Sequence, residues 1–293
     1  MKKAFTLIEI IFVIIIIGII SAIGSDIIFK AYENYILSQH VSEAAYKTDL
    51  AIEQIAKRLS YRIRGSESTL QFGNASHPHT LAITIKYPIL QWIGYEWEAR
   101  RGSYNGSFNQ PGWSGFIDLS DANTSKVSVK TRGSRLDYAQ KIIKALHSID
   151  ISQHNNNCAI FFPVPNADES ILKDYYSSSG TTNKLRIYKG SSNDILHFED
   201  TTSPKEIYEH YYLACSAYAL VPEGNPGDYN LTLYYDYQPW MGQTYKSGKK
   251  SVLISNLTKF NFRRFDRAIE LKLCARSGKG DYNTTFCSAK VVF

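Results

Sequence analysis

The stretch Phe5-Thr6-Leu7-Ile8-Glu9-Ile10-Ile11-Phe12-Val13-Ile14-Ile15-Ile16-Ile17-Gly18-Ile19-Ile20-Ser21-Ala22-Ile23-Gly24 decides how this chain is built. It is 20 residues long and carries a single ionisable side chain, Glu9. At helical rise it extends about 30 Å, the thickness of a bilayer's hydrocarbon core. Lys2 and Lys3 precede it and Asp26 follows it. The positive-inside rule therefore places the N-terminus in the cytoplasm and the remaining chain outside the inner membrane. A secretory signal peptide has a shorter apolar region, about 7–15 residues, and ends at a small-residue cleavage site. Ser21-Ala22-Ile23-Gly24-Ser25 is a mediocre one. A plain signal anchor accounts for the length but not for Glu9, since a carboxylate inside a span costs about 2.5–3.5 kcal/mol on insertion scales.

Outward from this stretch the helical pattern continues. Val41, Ala45, Thr48, Ile52, Ile55 and Leu59 recur at spacings of three and four, one face of a helix. Glu33, Glu43, Lys47, Glu53 and Lys57 fall mostly off that face, and Arg64-Gly65-Ser66 is a natural stop. The spacing predicts one helix over 5–63, about 85–90 Å long, whose first part (5–24) spans the membrane and whose second part packs on a head formed by 64–293.

Past Gly65 the period becomes two. Leu81–Tyr87, Lys126–Lys130, Lys184–Tyr188, Tyr229–Tyr235 and Ile269–Leu273 alternate as half-buried strands. Ser134–Ser148 reads as a short helix with Tyr138, Ile142, Ile143 and Leu146 on its apolar face. Asp200–Lys205, Gly224–Gly227 and Gln243–Lys250 read as loops. The expected fold class is α+β: a long N-terminal helix packed against a β-rich, antiparallel head. With 293 residues, 44% apolar and 20% charged, the chain has ample length for such a core and is not disordered in bulk.

The N-terminal motif, Lys2-Lys3-Ala4 followed by Phe5-Thr6-Leu7-Ile8-Glu9 and an apolar run, resembles the class III signal of type IV pilins and pseudopilins. In that family a membrane-embedded prepilin peptidase cuts before the Phe on the cytoplasmic side and methylates the new amine. The resemblance implies a leader of residues 1–4, a processing site at Ala4 and Phe5, and an assembly role for Phe5 and Glu9. The freed Phe5 amine of one subunit would pair with Glu9 of another inside an apolar filament core, where either charge alone would be costly. It further implies other pilin or pseudopilin subunits, the inner-membrane lipid and an inner-membrane assembly platform as partners. Two features depart from the common pattern: Ala4 stands where Gly is usual, and Asp26 lies where major pilins often carry a helix-kinking Pro. The stretch Val252–Asp266 followed by Ile269–Leu273 resembles the strand pair near the end of PilW-class minor pilins and of the J class of type II secretion pseudopilins, so a minor subunit is the expected kind. Glu9 argues against the tip-most pseudopilin class, which usually lacks that acid.

Four cysteines, Cys158, Cys215, Cys274 and Cys287, fall in the exported part and read as two disulfides, for which three connectivities exist. Cys158–Cys215 and Cys274–Cys287 are favoured, the second resembling the C-terminal disulfide loop of many pilins. No metal-binding spacing occurs, and neither a metal nor a cofactor is expected. His77-Pro78-His79 reads as an exposed loop of solvated imidazoles, and Asp118, Asp121 and Asn123 lack the spacing of a calcium loop. No nucleophile–base pattern or phosphate loop is present, so the chain is not expected to be an enzyme.

Two regions are candidate partner contacts. Trp92, Tyr95, Trp97, Tyr104, Phe108 and Trp113 crowd together with Arg100 and Arg101. They form either a contact surface or, the favoured reading, a Gly-rich loop folded over the core with its aromatics buried. From Trp240 to Phe293 there are 11 basic and 3 acidic residues within a chain of net charge +6, densest at Arg263-Arg264-Phe265-Asp266-Arg267. That is either a DNA-facing or acidic-partner-facing patch, with Arg263 and Arg264 as candidate contacts, in a competence or adhesive subunit, or a solvated strand face with lysines guarding the edge, which is favoured.

Overall fold

The computed structural model describes residues 6–81, 87–104, 106–164, 168–179, 182–200, 206–278 and 283–293. Helix α1 (Leu7–Ser60) opens the chain and is followed by β1 (Ser68–Gln71), β2 (Asn74–Thr80) and β3 (Ile89–Gly94). Next come α2 (Trp97–Arg100), β4 (Ser103–Tyr104), β5 (Asn109–Gln110), β6 (Ser128–Lys130), α3 (Leu136–His147), β7 (Ala159–Phe161) and α4 (Glu169–Tyr176). Then follow β8 (Lys184–Lys189), β9 (Ile195–Phe198), β10 (Tyr212–Ala214), β11 (Ser216–Asn225) and β12 (Asp228–Tyr237). The long β13 (Lys249–Phe265), β14 (Ala268–Ser277) and β15 (Thr284–Val292) close the sequence of elements.

Helix α1 has 54 residues, about 81 Å of rod. Thr6 is its N-cap and forms a capping box with Glu9, satisfying main-chain donors that the first turn leaves orphaned. Lys57 and Arg58 lie in its last turn, where the helix dipole favours cations. It ends three residues earlier than the predicted Ile63. The Ile63 N–H donates instead to the Ile93 carbonyl at 2.8 Å, so the chain leaves the helix to join the sheet. Gly65, at φ +88°, then turns it in the left-handed region, where a side chain would be strained.

The main sheet has eight strands in the order β15-β14-β13-β12-β11-β3-β1-β2, every neighbouring pair antiparallel. Two-residue turns make its hairpins: Pro226-Gly227 between β11 and β12, and Asp266-Arg267 between β13 and β14. The second half of α1 lies across β13, β14 and β15. Ala51, Ile52, Ile55, Ala56 and Leu59 meet Leu257, Phe262, Leu271 and Leu273 there. The buried stripe contains Thr48, Ile52, Ile55 and Leu59 of the predicted face and departs from it at the other two positions. Ala44 and Ala51 belong to it, whereas Val41 is 39% exposed and Ala45 half-buried. The small alanines let the rod approach the sheet closely, which the spacing of larger apolar residues does not reveal.

A second sheet, ordered β10-β7-β8-β9-β6, packs with α3 around Ile143, Val129, Leu196 and the Cys158–Cys215 pair. A third cluster, including Phe161, Tyr175, Trp240 and Ile93, joins it to the other face of the main sheet. Strand β3 is thus buried along its whole length. The strand expected at Lys126–Lys130 is shorter, with Val127 outside it and 46% exposed. His77-Pro78-His79 is not a loop but lies in β2, an edge strand, the position in a sheet that tolerates proline. The strand predicted at 81–87 and the loop at 200–205 fall largely outside the described residues.

Candidate assembly interface and polar clusters of the head

The first half of α1 stands clear of the head. From Leu7 to Ile28 its large apolar side chains are about half to three-quarters exposed, Leu7 at 78% and Ile28 at 72%. It is the one helix among the described residues long and apolar enough to cross a membrane, and none of its most apolar window is covered by the rest of the chain. Monomeric soluble proteins rarely expose contiguous apolar surface on this scale, so it requires lipid or neighbouring apolar helices. Glu9 sits one turn inside this surface. Its Oε2 accepts from the Thr6 main-chain N at 3.4 Å and from Thr6 Oγ1 at 3.5 Å, and among the described residues no cation pairs with it. Ala4 and Phe5, the expected processing site, lie outside the described residues.

The expected aromatic contact region is largely interior. Trp92 has no exposure and stacks on Tyr218 at 5.7 Å, so it cannot meet a partner directly. Trp113 is equally buried, and its indole N–H donates to the Glu96 carbonyl at 2.8 Å. Trp97, half-buried, stacks on Tyr61 at 5.0 Å and so clasps the end of α1. Arg100 covers the Trp113 ring at 5.1 Å. Arg101 remains exposed, near Glu98 at 3.6 Å. Trp92 thus packs in the core between α1 and the main sheet, and Trp113 in the core around α3.

Arg263 pairs with Glu270 directly across the β13–β14 ladder, and Arg264 Nε donates to the Asp266 carbonyl at 3.0 Å. Cys274 and Cys287 are register partners on β14 and β15 and form a disulfide, and Cys158–Cys215 forms a second one deep in the head. Asp118 and Asp121 share Arg132, at 2.6 and 3.5 Å, and both carboxyls are held below the usual range, mainly by hydrogen bonds from Ser120 and Asn123 respectively. Their cation is therefore a guanidinium. Among the described residues no group of three metal-ligating side chains converges.

Two buried ionic clusters escape sequence reading altogether. His147, at the end of α3, places Nδ1 2.9 Å from Asp236 and Nε2 3.2 Å from Glu96, residues 89 and 51 positions away. Glu96 also accepts from the Cys215 main-chain N at 3.2 Å, and Lys249 reaches Asp236 at 2.6 Å. Burial opposes the imidazolium, but hydrogen bonds and charge from Glu96, then Asp236, outweigh it and lift the His147 pKa to about 9. With both ring nitrogens donating, this histidine cannot act as a base; it ties α3 to the main sheet. In the second cluster Arg62, 3% exposed, pairs with Glu67 at 2.5 Å and donates to the carbonyls of Leu59, Phe293 and Arg267 at 3.0, 3.2 and 3.0 Å. It fastens the end of α1 to the far end of the chain and to the β13–β14 turn.

Comparison with protein-family models, with curated proteins and with solved structures finds no match for this chain.

Proposed function

We propose that this chain is a filament subunit of the type IV pilin or pseudopilin kind, most simply a minor one that starts or caps a filament. The observation that carries this reading is the uncovered apolar half of α1 with Glu9 inside it, rigidly joined to a head by the half that is covered. In this reading the span first rests in the inner membrane with the head periplasmic. Prepilin peptidase removes residues 1–4, and an assembly platform draws the subunit into a filament at the cell surface or in the periplasm. There neighbouring helices replace lipid around Ile10–Ile23. Glu9 then meets the Phe5 amine of another copy, and the pair sets axial register because leaving either charge alone in that core would cost several kcal/mol. The proposed function requires no catalytic group and no cofactor.

The test is Glu9→Ala in the native host. The mature N-terminus should still be Phe5 by mass spectrometry, and the protein should still fractionate with membranes. Its recovery in sheared filaments should fall at least about tenfold, the order expected for losing a desolvated charge pair. Wild-type recovery, or a mature protein that keeps Met1, overturns the reading.

A further inference from the structure

A pocket of about 180 Å³ opens where the end of α1, the β13–β14 turn and the second sheet meet. Its wall holds three arginines, Arg64, Arg264 and Arg267, beside Glu67, Tyr212 and Pro163. The main chain that carries two of these cations is held at two separate points. Arg64 precedes Gly65, whose positive φ turns the chain. Arg267 belongs to the two-residue turn, its carbonyl held by Arg62 at 3.0 Å. Arg264 is steadied by its Nε bond to Asp266.

The one carboxylate in the wall is already committed. Glu67 Oε1 pairs with Arg62, and Oε2 accepts from the Gly65 N–H at 2.8 Å. Among the described residues neither Arg64 nor Arg267 has an ion-pair partner. Arg64 and Arg267 lining a recess whose one carboxylate is committed produce a positive potential there, and guanidinium forks match the oxygens of a phosphate better than an ammonium does. The volume is below the ~300 Å³ of a drug-sized site, so it suits one small oxyanion or one such group on a larger molecule. Arg263 is excluded. Strand alternation turns it to the opposite face, where it meets Glu270.

We propose that this pocket binds a phosphate group, either free inorganic phosphate or one phosphodiester of a nucleic-acid strand. The headgroups of the subunit's own membrane are too far away: Ser25 to Ser60 is about 54 Å of helix beyond the apolar span. Only that exclusion rests on the membrane reading; the pocket's chemistry is independent of it.

The experiment is calorimetric titration of the full-length chain in detergent micelles, at constant ionic strength, with inorganic phosphate and separately with a short single-stranded oligothymidylate. Saturable binding of phosphate alone assigns the free ion, and tighter binding of the oligonucleotide assigns the phosphodiester. In either case Arg64→Gln/Arg267→Gln should weaken binding at least about tenfold, as expected for losing charge-assisted hydrogen bonds. Arg263→Gln should change it less than about twofold. Arg64→Gln alone, at an exposed position, provides the same test with the fold least disturbed. Absence of saturable binding of either probe to the wild-type chain up to about 10 mM, or equal weakening by Arg263→Gln, overturns the proposal.

Discussion

Arg62 shows most directly how single residues hold this molecule together. Its guanidinium serves one carboxylate and three carbonyls, two of them, of Arg267 and Phe293, from distant parts of the chain. Arg62→Met should destabilise by about 3–5 kcal/mol, because it leaves Glu67 buried and unpaired. The double variant Arg62→Met/Glu67→Leu should recover much of that loss, as thermal unfolding in detergent would show. His147 gives a pH signature. Its pKa in the folded chain, about 9, exceeds the ordinary value of 6.5. Its contribution is therefore complete below about pH 6.5 and is lost as pH rises through about 9. The stability difference between wild type and His147→Gln, followed by thermal unfolding, should be largest at pH 6, about 3 kcal/mol, and close by pH 10. Neither role was legible in the sequence: His147 meets Glu96 and Asp236, and Arg62 meets Arg267 and Phe293, only because the fold brings distant segments within hydrogen-bond reach.

At the scale of elements, the α1–sheet contact is the main test. Ile55 is 1% exposed and Val41 39%. Ile55→Ala should cost about 2–5 kcal/mol and Val41→Ala less than about 0.5 kcal/mol. Equal effects would mean that the helix turns the face with Val41 toward the head. The existence and length of α1 were readable from the sequence, because an apolar run followed by a 3.6-residue period has few other solutions. Most of its packed face was readable too, in Thr48, Ile52, Ile55 and Leu59, but Ala44, Ala51 and Ala56 carry too little hydrophobicity to mark themselves as part of it. The strands Lys184–Lys189, Asp228–Tyr237 and Ala268–Ser277 contain the segments expected from alternation. Strand β3, buried on both sides, does not alternate at all and gave no such signal.

For the whole molecule, two disulfides fasten different layers. Cys274–Cys287 rivets the edge strand β15 to β14 and closes a loop of 13 residues in separation, whereas Cys158–Cys215 closes one of 57. Chain-entropy reasoning gives about 3 and about 4 kcal/mol respectively. Replacing Cys158 and Cys215 by alanine should therefore lower the unfolding temperature more than replacing Cys274 and Cys287. It should also loosen α3, because Glu96 binds the Cys215 N–H and His147 together. Hydrogen exchange at α3 amides would report that loosening. The head is thus cross-braced, while the apolar half of α1 depends on whatever surrounds it.

By itself the sequence determined that an apolar rod with one acid near its start leads into a β-rich head, because hydrophobic period and charge placement are properties of neighbouring residues. Only the tertiary structure decided which aromatics are interior, where Arg62 and His147 find their partners, and that three arginines face one recess. Those depend on which distant strands lie side by side, a choice made by the packing of the whole core.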